Sequence, residues 1–104
     1  MRKLRPMTHP NHNDYRNIAD NLLEAIGDSE IFNGTVGYET PEYSAQLRVT
    51  LIIYREPLFD PVDPAGQAER ISAIVPVWWE YRLYDRFGEK PNDFSWREFK
   101  KHLI

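Results

Sequence analysis

The stretch Ile71–Asp85, ISAIVPVWWEYRLYD, constrains this chain more than any other. Its odd positions, Ile71, Ala73, Val75, Val77, Trp79, Tyr81 and Leu83, are all apolar. The even ones, Ser72, Ile74, Pro76, Trp78, Glu80, Arg82 and Tyr84, are mixed. Side chains of a strand alternate between its two faces, so this pattern predicts a strand with one face on a core and the other on something wetter. Pro76 has no N–H to give to a ladder, which places the strand at a sheet edge or at a bulge. Tyr43–Arg55 alternates in the same way. Tyr43, Ala45, Leu47, Val49, Leu51 and Ile53 share one face, and Ser44, Gln46, Arg48, Thr50, Ile52 and Tyr54 share the other. It holds neither Gly nor Pro and is the candidate for the centre of the sheet. Ile31–Glu39 sets Phe32, Val36 and Tyr38 on one side, and Gly34 and Gly37 weaken it to an edge strand.

Two helices flank these strands. Tyr15, Ile18, Ala19, Leu22, Leu23 and Ile26 form an apolar stripe at helical spacing and predict a helix at about 14–26. Asn13 or Asp14 can cap its start, and Gly27 stands where a left-handed C-terminal cap is wanted. Near the end of the chain, Ser95-Trp96-Arg97-Glu98 fits a capping box, with Phe94 and Phe99 in the positions of a hydrophobic staple. Trp96, Phe99 and Leu103 make the inward stripe of that short helix.

The expected fold is α+β, in the order α-β-β-β-α. Consecutive strands usually pair as neighbours, giving a three-stranded antiparallel meander of order 1-2-3. Both helices are expected on one face, the one carrying Leu47, Val49, Leu51, Val75, Val77 and Trp79. Residues 1–12, with Arg2, Lys3 and Arg5, read as a flexible basic tail, and 13–104 as a single domain. The segment 56–70 is a long loop broken by Pro57, Pro61 and Pro64, in which Asp63-Pro64 can open one helical turn. Asp85–Asn92, with Gly88 and Pro91, reads as a turn.

A chain of 104 residues supports one two-layer core. Its net charge of −3 disfavours a protein that coats nucleic acid or anionic membrane. Cysteine is absent, which removes disulfides and thiolate metal sites. No segment approaches the roughly 20 apolar residues that span a bilayer, so the expectation is a soluble cytoplasmic protein without a membrane partner.

The candidate binding residues are Arg48, Tyr54, Trp78, Arg82 and Tyr84, all on the face expected to lie away from the helices. Arginine stacked on tryptophan can hold a planar group or a partner side chain, at about 0.5–1 kcal/mol when exposed. The plainer reading is that these residues cover the sheet through cross-strand pairs. A third is that the face meets a second copy of the chain. Elsewhere the signals are weaker. His9 and His12 share an H-x-x-H spacing but have no further ligand nearby, so no metal is expected. Asp60 and Asp63 could hold Mg²⁺ or run acid–base chemistry only if a scaffold fixed them, and Asp before Pro is ordinary turn grammar. There is no glycine-rich phosphate loop, no G-x-S-x-G and no cysteine nucleophile. No cofactor is expected, and the chain reads as a non-enzyme.

The element order is similar to that of double-stranded-RNA-binding domains, which use a basic opening of the last helix and a basic link between their first two strands. Here the link is Glu39-Thr40-Pro41-Glu42 and the last helix opens with Ser95-Trp96-Arg97-Glu98, so no RNA-binding residue is carried over. The phrases Leu51–Arg55 (LIIYR), Ile74–Tyr81 (IVPVWWEY) and Asn92–Trp96 (NDFSW) look like those of small proteins of unknown function from Bacteroidetes genomes and their mobile elements. That resemblance implies a bacterial source and no activity. The expected function is that of an accessory or adaptor domain that binds an unidentified protein, or itself, through the open sheet face or an edge strand. The alternative is a nucleic-acid-binding module using Arg48, Arg82, Trp78 and the basic tail.

Overall fold

A computed structural model describes residues 10–57 and 69–103. The elements are α1 (His12–Ile26), β1 (Ile31–Glu39), β2 (Tyr43–Pro57), β3 (Glu69–Asp85), β4 (Gly88–Lys90) and α2 (Trp96–Phe99), with a 3₁₀ turn at Lys100–His102. The strands form an antiparallel sheet of order β1-β2-β3-β4, so the fold is α+β and the meander is the expected one. It gains a fourth strand in the segment read as a turn. There Leu83, Tyr84 and Asp85 pair with Lys90, Glu89 and Gly88. The Phe87 N–H donates to Asp85 Oδ1 (2.7 Å), and Gly88 takes a φ of 110° that side chains rarely adopt. The basic tail up to residue 9, including His9, and the loop carboxylates Asp60 and Asp63 with the Asp63-Pro64 turn lie outside the described residues.

Helix α1 starts earlier than expected. Asn11, not Asn13 or Asp14, is its N-cap: Asn11 Oδ1 accepts from the Asp14 N–H (2.9 Å), and Asp14 Oδ2 accepts from the Asn11 N–H (3.1 Å). This is a reciprocal box, and Asp14 serves it from the third helical position rather than from the cap. Gly27 ends the helix at φ 52°, as its place in the sequence predicts. Arg55 then donates to the carbonyls of Gly27 and Ser29, both at 2.7 Å, tying the helix end to β2. Helix α2 has Ser95 Oγ accepting from the Glu98 N–H (3.3 Å), and the staple rings Phe94 and Phe99 lie 5.4 Å apart. The return half of the box is replaced. The Ser95 N–H donates to the Tyr15 hydroxyl (3.0 Å), while the Glu98 carboxylate takes Lys101.

Both helices lie on one face of the sheet. Ile18, Leu22 and Ile26 of α1 and Phe99 of α2 are sealed against Leu47, Val49 and Leu51 of β2. Phe94 stacks on Tyr81 (4.5 Å) and Trp96 lies against Trp79 (5.4 Å), which puts the α2 end over β3. On β1, the Phe32 ring folds over Gly34 so closely that a Cβ there would stand 3.0 Å from it. Glycine at this point lets the aromatic cover the edge of the core.

The parity of β3 departs from the expectation. Leu83, Tyr81 and Trp79 pair with Ala45, Leu47 and Val49 and face the helices. Thr50 then pairs with Trp78, but Leu51 pairs with Pro76, so Val77 is an extra residue and the alternation slips. Beyond it Pro76 and Ile74 share the core side with Leu51 and Ile53, whereas Val75 stands beside Ile52 on the other face. Val75 and Val77, expected in the core, are 43% and 61% exposed. A second slip at Ser72 returns Ile71 to the helix side, opposite Arg55.

Candidate functional site

The face away from the helices is built in rows across the strands. Its polar part holds Thr35, Arg48 and Glu80 in one row and Gly37, Gln46 and Arg82 in the next, with Ser44 and Tyr84 beyond. The Arg48 guanidinium sits 5.6 Å from the centroid of the Trp78 ring, reached diagonally because Trp78 pairs directly with Thr50. Arg82 is held by the Tyr84 hydroxyl and, in an ion pair, by Glu80, and these two contacts push the guanidinium further toward its charged form. Thr50 hydrogen-bonds Asn33 across β1 (3.3 Å). The result is a shallow hollow lined by Asn33, Thr35, Gln46, Arg48, Glu80 and Arg82.

Of the residues singled out from the sequence, Arg48 and Trp78 are brought into contact, Arg82 lies in the row next to Arg48, and Tyr84 meets Arg82 from the row beyond. Tyr54 is on the same face, 52% exposed, but pairs with Ala73, two rows beyond the Thr50–Trp78 pair. Between these groups lies a row that the sequence reading missed: Ile31, Ile52 and Val75, one from each of three strands. Trp78, opposite Thr50, adjoins it on the same face. The signal was present, since Pro76 inside an alternating run marks a bulge, and one inserted residue reverses every side chain after it. Charged pairs lie two rows away on each side, Glu56 with Arg70 beyond Tyr54 and Arg48 with Glu80 beyond Trp78. An apolar centre with a polar rim is the anatomy of protein–protein contact surfaces.

The helix side carries a second group of polar residues. Buried Asp14 accepts a short hydrogen bond from the Tyr43 hydroxyl besides serving the α1 cap. Burial raises the pKa of both Tyr43 and Tyr81 well above that of free tyrosine, and the Asp14 charge adds to the shift in each. His12 meets His102 edge-on at 4.7 Å. Among the described residues, no buried side-chain nitrogen or oxygen lacks a partner, and no group of three or more His, Asp or Glu side chains could hold a metal ion. This cluster fastens α1, β2, β3 and α2 together. Among the described residues, no helix is long and apolar enough to cross a membrane.

No family model, curated protein or solved structure gives a significant match to the chain.

Proposed function

We propose that this chain is a non-enzymatic accessory or adaptor domain that acts by binding protein through the open face of its sheet. The observation that carries this reading is the bulge at Val77, which turns Val75 away from the helices and completes an uncovered apolar row with Ile31 and Ile52. Contiguous apolar surface with a polar rim favours association over solvation. The free edge of β3 is a poorer contact, because Pro76 offers it no N–H and the bulge breaks its register. A cysteine-free chain fits a reducing compartment, and the proposal places the domain in a bacterial cytoplasm.

The test compares proteins captured by the full chain with those captured by Val75→Lys, each checked for an unchanged far-ultraviolet circular dichroism spectrum. The reading expects at least one captured protein to be lost with the variant. An identical set from both would refute it. Arg48 over Trp78 favours a second reading, a platform for nucleic-acid bases. Against it stand Glu80 within the same row and the net charge of −3. Binding to RNA or DNA that is absent even at low salt removes that alternative.

A further inference from the structure

We infer that the occupant of the open face is a second copy of this chain, packed face to face about a two-fold axis that runs along the strands between β2 and β3. This rests on the proposed use of that face for protein binding and adds the identity of the partner.

The placement of charge selects the axis. Arg48 stands directly opposite Glu80 across the β2–β3 pair, and Glu56 stands opposite Arg70. Rotation about an axis midway between the two strands lays β2 of one copy over β3 of the other at the same height. Arg48 then lies over Glu80 of the second copy, and Glu56 lies over Arg70. By symmetry each contact is made twice. Ile52 falls over Val75 of the second copy at the centre, between the two charged rows. An axis over β2 itself would instead set Arg48 against Arg48 and Glu56 against Glu56. These side chains are long enough to absorb the crossing of roughly 30° that twisted sheets adopt when stacked.

The size of the overlap places the contact among the small ones. Two strands over the interval from Ser44 to Glu56 cover roughly 40 by 10 Å, about 400 Å² of plane area per copy before side-chain relief is counted. Stable complexes bury about 800 Å² per partner, so the pair belongs among weak, reversible dimers. Its dissociation constant is expected at roughly tens to hundreds of micromolar.

Sedimentation equilibrium of the full chain from about 10 µM to about 1 mM reads this directly. The expected average mass rises with concentration from the monomer value of 12.3 kDa toward twice that. Arg48→Glu should weaken the dimer by roughly fivefold or more, and adding Glu80→Arg should restore it, because the swapped pair is again complementary. A chain that stays monomeric throughout overturns the inference. So does a dimer indifferent to both Arg48→Glu and Val75→Lys, since its contact lies elsewhere. If the chain is monomeric while Val75→Lys still strips a captured protein, the second copy is excluded and the binding role of the face stands.

Discussion

Ile52 and Val75 stand opposite each other across β2 and β3 on the face that no helix covers. Val75 would share the core with Leu51 if β3 kept strict alternation. Its position is the consequence of a single extra residue, Val77, beside a proline that cannot take part fully in the ladder. The same slip carries Ile74 inward, so the core keeps an apolar residue opposite Ile53 while the open face gains one opposite Ile52.

The two adjacent tryptophans should respond differently to truncation. Trp79 packs on Trp96 over the core side, and Trp78 lies under Arg48 on the open side, although the two are similarly exposed at 42% and 44%. Trp79→Ala is expected to cost about 2 kcal/mol of stability, below the full value for a sealed aromatic. Trp78→Ala is expected to cost less than about 1 kcal/mol, the worth of an exposed cross-strand and cation–π contact. Urea denaturation of the two variants measures the difference, and a larger loss for Trp78→Ala would contradict the assignment of faces.

Arg55→Met keeps most of the side-chain stem and removes both hydrogen bonds to the end of α1. Helix ends leave carbonyls without intrahelical partners, and a cation there also meets the negative end of the helix dipole. The contact is exposed, so water replaces part of it, and the expected loss is about 1 kcal/mol. Amide hydrogen exchange should rise first around Leu23–Gly27. Faster exchange spread evenly through α1 would place the role of Arg55 elsewhere.

Stability should fall in alkali. Tyr43 and Tyr81 hold their protons more tightly in the folded chain than tyrosine does in the unfolded one, through burial first and the Asp14 charge as well. Below the unfolded value, about pH 10, both states are protonated and the contribution is complete. As pH rises past it, the unfolded chain loses protons that the folded chain keeps, so stability declines. Tyr81→Phe should flatten that decline between pH 9 and 11. Tyr43→Phe should also flatten it, while costing about 1–2 kcal/mol at neutral pH because the buried Asp14 loses a donor. A stability curve of unchanged slope in both variants would refute this account.

Much of the fold was legible because it rests on repeated local signals. The stripe from Tyr15 to Ile26, the clean alternation of Tyr43–Ile53 and the staple Phe94–Phe99 each appear in the structure where their spacing puts them. What escaped were features that depend on a single residue or on distant partners. Gly88–Lys90 is too short to show a period. The Asn11 cap lay in a segment read as tail, and the Tyr43–Asp14 bond joins residues 29 apart in sequence. For the candidate face, Arg48 beside Trp78 follows from parity, whereas the place of Val75 does not, because unbroken alternation through Pro76 puts it in the core and the extra residue at Val77 turns it out.

The orientation of β3 beyond its bulge can be measured with thiols, since the chain has no cysteine of its own. Val75→Cys and Ile74→Cys would each be exposed to a thiol reagent at about 1 µM protein, below the range expected for the proposed dimer. The account predicts that Cys at position 75, on the open face, reacts several-fold faster than Cys at position 74, whose side chain packs against the core and is only partly exposed. Fast reaction at 74 with protection at 75 would mean that β3 alternates without a slip, and Val75 would not belong to the row that Ile31 and Ile52 begin on the open face.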